Sequence, residues 1–174
     1  MENENCQVVL NKCSYGLYVV TSHLDGKING QISDALMQVT ACPPKVALSI
    51  NKNELTHDYI LKSRVFGVSV LEKKADLSII KNFGFQTGRK INKFEKIKYV
   101  LGKTNSPLLI ESIAATFEVE VFEDVDVGTH RLFIGDVIFA KMIENTEVLT
   151  YEYYRKRLKS EIHPNSPSYL EEKK

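Results

Sequence analysis

From Tyr15 to Leu71 short β-branched and aliphatic runs alternate with turn-forming residues, and polar groups gather at the joints. This pattern predicts short strands with a helix start among them. Residues 16–22 (GLYVVTS) predict a strand, Leu24-Asp25-Gly26 supplies hairpin-turn chemistry, and Lys27 to Ser33 form the returning strand or loop. Pro43-Pro44 interrupts the chain before VALSI, a run suited to a buried strand. Thr56 then reads as a helix N-cap, with Asp58 in the first turn and Tyr59, Ile60 and Leu61 as apolar face. Val65 to Leu71 predicts another strand, and Asp76 to Phe83 a second helix stopping at Gly84. The polar, basic stretch from Gly84 to Lys96 reads as a long functional loop.

Beyond Ala114 the pattern is plainly β. Phe117, Val119 and Val121 alternate with Glu118 and Glu120, the mark of a strand with one wet face. Gly128 opens THRLFIGDVIFAKMI, an apolar run without helical period that suits a strand buried on both sides. Several short strands and few helices predict a mainly β chain built as an antiparallel barrel. Residues 1–154 form one domain, and 155–174 form a charged, proline-containing tail, mobile or extended over a partner subunit.

Composition narrows the function. A net charge of +1 gives no reason to expect a nucleic-acid partner, and the basic run Arg155-Lys156-Arg157-Leu158-Lys159 reads as a solvated helix end. No apolar run is long enough to span a bilayer, and the start of the chain lacks the pattern of a signal peptide. The three cysteines form no CxxC pair, which argues against a disulfide scaffold or a thiolate metal site. No metal ligands are expected, and a reducing cytoplasm is the expected location.

Four constellations carry chemistry. Ser49, Asn51 and Lys52 end a strand just before Thr56 and His57, so hydroxyls, an amide and a cation meet a helix N-terminus suited to an anion. Asn29-Gly30-Gln31-Ile32 places side-chain amides around a glycine that lets a flat group approach the backbone. Arg89-Lys90-Ile91-Asn92-Lys93-Phe94 is basic, and Gly128-Thr129-His130 puts an imidazole at a strand start. Each alone has an ordinary structural reading as a turn, a cap or a solvated surface.

Together, over Tyr15 to about Tyr154, these motifs resemble the FMN-binding split-barrel flavin reductases, closest to the flavoprotein domain of high-molecular-weight rubredoxins and to flavoredoxin. The resemblance implies a six-stranded split β-barrel with Greek-key topology and a few short helices. It implies FMN held by Ser49, Asn51, Lys52, Thr56 and His57 at the phosphate and by Asn29, Gly30, Gln31 and Ile32 at the ring. Ser33 is a weaker ring candidate. Lys93, with Lys90 as fallback, supplies a cation at the flavin. His130 lies beside it in a GDH-type motif in which Thr129 replaces the acid. One of Tyr151, Tyr153 and Tyr154, taken as Tyr153, approaches the flavin, often from the dimer mate. NADH or NADPH is the implied hydride donor, the site lies at a homodimer interface, and rubredoxin or a flavodiiron protein is the implied acceptor. The alternatives are an FMN electron carrier without NAD(P)H activity, or a reductase of diffusible flavin or ferric iron.

Overall fold

The computed structural model describes residues 9–10 and 12–158. From Tyr18 to Leu158, nine strands and three helices follow in the order β1 (Tyr18–Leu24), β2 (Lys27–Ser33), β3 (Leu36–Ala41), β4 (Pro44–Asn51), α1 (Leu55–Ser63), β5 (Val65–Leu71), α2 (Leu77–Phe85), β6 (Tyr99–Leu101), β7 (Pro107–Leu109), β8 (Ile113–Asp126), β9 (His130–Met142) and α3 (Tyr151–Leu158). Seven strands form one antiparallel sheet, ordered β2-β1-β5-β8-β9-β4-β3, and β6 and β7 form a separate hairpin. Because β5 pairs with β1 and β8 rather than β4, the chain crosses over through α1, a Greek-key connection.

The sheet curls because one face must close on itself. Val20, Leu48, Ile50, Phe66, Val68, Val119 and Phe133 come from five strands and pack together, with Ile60 of α1 among them. The other face buries Leu17, Val19 and Leu71 against Ile80 and Phe83 of α2 and Tyr151 and Tyr154 of α3. Strand β1 is thus buried on both faces, which explains its run of valines. The Asp25-Gly26 turn takes positive φ at both residues (50° and 76°), as a two-residue hairpin turn requires.

Several expectations are corrected. The main sheet has seven strands rather than six, because Leu36–Ala41 adds an edge strand whose side chains are mostly exposed. Pro43 sits in the turn joining β3 to β4, and Pro44 is the first residue of β4. Strand β9 is not buried on both sides: Phe133 faces the core, whereas Ile138 and Lys141 to Met142 are exposed. Helix α2 starts where expected, with Asp76 Oδ1 accepting from Ser78 N at 2.8 Å. It ends two residues later than expected, since Gly84 packs against Ile32 instead of turning the chain at a left-handed cap. Helix α3 runs through the boundary drawn after Tyr154. The expectations for the tail from Lys159 onward lie outside the described residues. No helix among the described residues is long and apolar enough to cross a membrane.

Candidate functional site

Helix α1 is where the site begins. Asn51 at the end of β4 accepts from Asn53 N through Oδ1 (3.0 Å), and its carbonyl accepts from Glu54 N (3.1 Å). This turn starts the helix ahead of Thr56, so the N-cap is Glu54 and the expected capping role of Thr56 is corrected. Glu54 makes no side-chain cap bond, so the first turn of α1 lacks the side-chain acceptor that Asp76 gives α2. Thr56 is instead fully buried, and its Oγ1 accepts from Asn29 Nδ2 at 2.9 Å. A hydroxyl that accepts keeps its own hydrogen for another partner.

His57 follows, buried against Phe133 with ring centroids 5.7 Å apart. Its Nδ1 meets Asp58 Oδ1 at 3.1 Å, while Nε2 is buried without a partner. Gln31 Oε1 is likewise buried and unpartnered. A buried polar atom left unpaired costs about 1–3 kcal/mol, so these two atoms, on neighbouring elements, are available to a ligand.

Strand alternation divides the β2 group. Asn29 faces Thr56 on α1, whereas a side chain at Gly30 would press on Phe83, and Ile32 packs over Gly84. Asn29 and Gln31 therefore offer side-chain amides to one side, and Gly30 and Ile32 contribute backbone and apolar cover. Ser33 is buried on β2, and Ser49 N donates to Ala35 O at 2.9 Å.

Residues beyond α2 close over this region. Lys93 is buried, its Nζ donating to Gly30 O (2.9 Å) and Phe83 O (3.1 Å). Burial pulls the ammonium down to about 8, with Glu54's carboxylate acting in the opposite sense. Asn82 Nδ2 donates to Lys93 O (2.7 Å), and Phe94 stacks edge-on against Phe83. Arg89 Nη2 reaches Asp58 Oδ2 at 2.7 Å. Gly88 lies so close to the Asn29 carboxamide that any Cβ there would collide with it. Gly88→Ala is expected to push Asn29 off Thr56 and weaken ligand binding about threefold to tenfold, the loss of roughly one hydrogen bond, measured by flavin titration.

On the other side of α1, Lys52 N donates to Thr129 O (3.0 Å), and Asn51 pairs with His130 across β4 and β9. Thr129 Oγ1 stands 2.8 Å from His130 Nδ1, taking the position of the expected acid. The Lys52 ammonium is engaged by both oxygens of Asp126 (3.0 and 2.9 Å), which holds that carboxyl below its usual range. Tyr153 lies apart, packed with the α2–α3 cluster under the Lys73 ammonium, 5.1 Å from its ring centre. Tyr151 and Tyr154 are buried in that same cluster.

Asn29, Thr56, His57, Asn51 and His130 are therefore neighbours, with Lys93 behind β2, while Tyr153 is not among them. Asp58 and Arg89, expected only as a helix-start acid and as part of a basic run, pair with each other, and Gly88, not singled out from the sequence, lies beside Asn29, because no spacing rule links residues this far apart in the chain. Two concavities of about 500 and 360 Å³ lie elsewhere, one between the β6–β7 hairpin and β8–β9, the other beside Tyr18, Leu36 and Phe117. Among the described residues no cluster of His, Cys, Asp and Glu could hold a metal ion.

Residues 10–161 match the flavin reductase like domain, and the chain belongs to that family of oxidoreductases. It is 39% identical over 162 residues to a ferric-chelate reductase (NAD(P)H) from Archaeoglobus fulgidus, covering 93% of this chain and 96% of that one. It is 37% identical to the high molecular weight rubredoxin of Moorella thermoacetica over 92% of this chain and 70% of the relative. Among solved structures, an NADH:FAD oxidoreductase from Streptomyces globisporus superposes with a TM-score of 0.74 at 24% identity, covering 82% and 83% of the two chains. An FMN-binding protein from Thermus thermophilus gives 0.70 at 26%, over 77% and 74%. The fold is thus that of the split-barrel flavin reductases, and the chain is a flavin reductase-like oxidoreductase.

Proposed function

We propose that the chain holds FMN as a bound group, takes hydride from NADH or NADPH, and passes electrons to a separate acceptor. The observation that carries this is the uncapped N-terminus of α1, flanked by the buried Thr56 hydroxyl and the unpartnered Nε2 of His57. Backbone N–H groups, a hydroxyl and an imidazole suit a phosphate. Lys52 is engaged by Asp126, so its contribution is long-range. The unpartnered Gln31 Oε1 suits an N–H of the flavin's pyrimidine edge.

Bound FMN supplies the hydride acceptor and holds the electron pair. The protein's residues bind and orient. Asn29, fixed by Thr56, joins the ring side to the phosphate side of the site. Gly30 and Ile32 lie on β2, the edge strand of the sheet, whose outer backbone groups are not taken by another strand. Lys93 anchors that edge through the Gly30 carbonyl, and its buried charge favours the negative charge that a flavin gains on reduction. His130 stands at the β9 rim and serves nicotinamide docking. His130→Ala is expected to raise the KM for NADH more than it lowers FMN affinity, measured by steady-state kinetics beside flavin titration.

The remoteness of Tyr153 from the other candidates supports a homodimer in which the partner subunit's tyrosine completes the site. The rubredoxin relative supports a rubredoxin-type acceptor, with a flavodiiron protein as a further candidate in a cytoplasmic setting. The ferric-chelate reductase relative, matched over nearly its whole length, favours ferric iron as a second acceptor class. Anaerobic mixing with NADH tests the central reading: rapid bleaching of the flavin absorbance is expected. A bound flavin that stays oxidised would make the protein a carrier instead.

A further inference from the structure

Asp58 and Arg89 have no assigned role, yet they form a continuous chain to the phosphate end of the site. Arg89 Nη2 donates to Asp58 Oδ2 (2.7 Å), and Asp58 Oδ1 meets His57 Nδ1 (3.1 Å), leaving Nε2 as the unpartnered atom. An imidazole with Nδ1–H directed at a carboxylate presents a lone pair on Nε2, which repels a phosphate dianion. A single proton between Nε2 and the phosphate turns that repulsion into a charge-assisted hydrogen bond.

We propose that Arg89 and Asp58 are positioning residues that hold His57 so that the flavin phosphate binds together with one proton shared at His57 Nε2. This rests on the reading that FMN binds with its phosphate at α1. The proton comes from solvent, Asp58 stays ionised, and no bond is made or broken besides the one to that proton. Burial alone would push the Asp58 carboxyl up, but hydrogen bonds from Arg89 and His57 outweigh it and leave it below the usual range. The other titratable or charged groups on elements packed around α1 are Glu54, Tyr59 and Lys62 on the helix, Lys93 beyond α2, Lys52, His130 and Arg131 at the β4 and β9 ends, and Tyr18, His23 and Lys27 on β1 and β2. Asp58 is the one in hydrogen-bond contact with His57 among the described residues.

The chain also couples the segment after α2 to the phosphate end of the site, because Gly88 beside Arg89 already touches Asn29. An exposed Arg–Asp pair would ordinarily be worth little. Its value here lies in fixing which nitrogen of His57 faces the ligand.

Calorimetric titration of the flavin-free protein with FMN and with riboflavin, in buffers of different ionisation heat, tests this. At a pH where free FMN is mostly dianionic, the wild type is expected to take up about one proton per FMN bound and none with riboflavin, which lacks the phosphate. Asp58→Asn is expected to take up clearly less and to lose about threefold to tenfold in FMN affinity, with riboflavin affinity unchanged. Asp58→Glu, which keeps the carboxylate, is expected to restore most of both. Because the phosphate's own titration is common to all variants, it cancels in the comparison. FMN binding by the wild type without proton uptake overturns the proposal and leaves the FMN reading standing. Equal proton uptake in Asp58→Asn, or an equal loss for riboflavin, also overturns it. A wild type that binds riboflavin but not FMN overturns both.

Discussion

Thr56→Ala is expected to lower FMN affinity by about tenfold to a hundredfold. The hydroxyl is buried, accepts from Asn29 and keeps its hydrogen for the phosphate. A hydrogen bond to a charged group contributes about 1.5–3 kcal/mol, which sets the range. The loss also frees the Asn29 carboxamide, so riboflavin affinity is expected to fall, though by less. Thr56→Ser keeps the hydroxyl and is expected to keep most of the affinity. Flavin titration by fluorescence quenching measures all three. If Thr56→Ala loses stability in chemical denaturation but binds FMN as the wild type does, Thr56 is a packing residue and the phosphate lies elsewhere.

Stability is expected to rise with pH on the alkaline side because of Lys93. Its ammonium is buried against two carbonyls, and burial lowers its pKa from the ordinary 10.5 to about 8. Below about 8 the folded and unfolded chains both carry the proton, and the penalty for burying the charge is fully present. Between about 8 and 10.5 the folded chain releases a proton that the unfolded chain retains, so stability increases with pH. The gain approaches about 3 kcal/mol as an upper bound. Other lysines and tyrosines titrate in the same window, so the quantity to measure is the difference from Lys93→Met in denaturant melts across that range. The wild type is expected to gain stability relative to the variant as pH rises through that window; parallel curves would mean that Lys93 titrates as an ordinary surface lysine.

The readable parts of this fold were those in which local chemistry and burial agree. The Asp25-Gly26 turn and the valine-rich β1 are dictated by residues next to one another, whereas β8 departs from its expected wet face: Glu118 is fully buried, and a register shift falls between it and Val119. Strand β3 was hidden because it is an exposed edge whose Met37 and Val39 face outward, and edge pairing leaves little periodicity. The hairpin of β6 and β7 was hidden for a different reason. It is held by the buried Glu118 of β8, which accepts from Lys103 N and Thr104 N, a contact made only after folding.

The site shows the same division. Ser49 to His57 and Asn29 to Ile32 stand out as clusters of ligand-type residues, and the fold brings Asn29 and Thr56 into contact. Lys93 was legible as a cation, but not as one turned inward onto Gly30 and Phe83. Asp58 read as an acid favouring its own helix, and Arg89 as part of a solvated run. Their pairing depends on how the segment after α2 lies across α1.

The most direct measurement is the visible absorption spectrum of the purified protein, followed by identification of the released flavin. The account predicts a yellow protein carrying about one FMN per chain, retained through gel filtration, with FAD binding more weakly. A colourless protein that gains no flavin absorbance on incubation with FMN would contradict it.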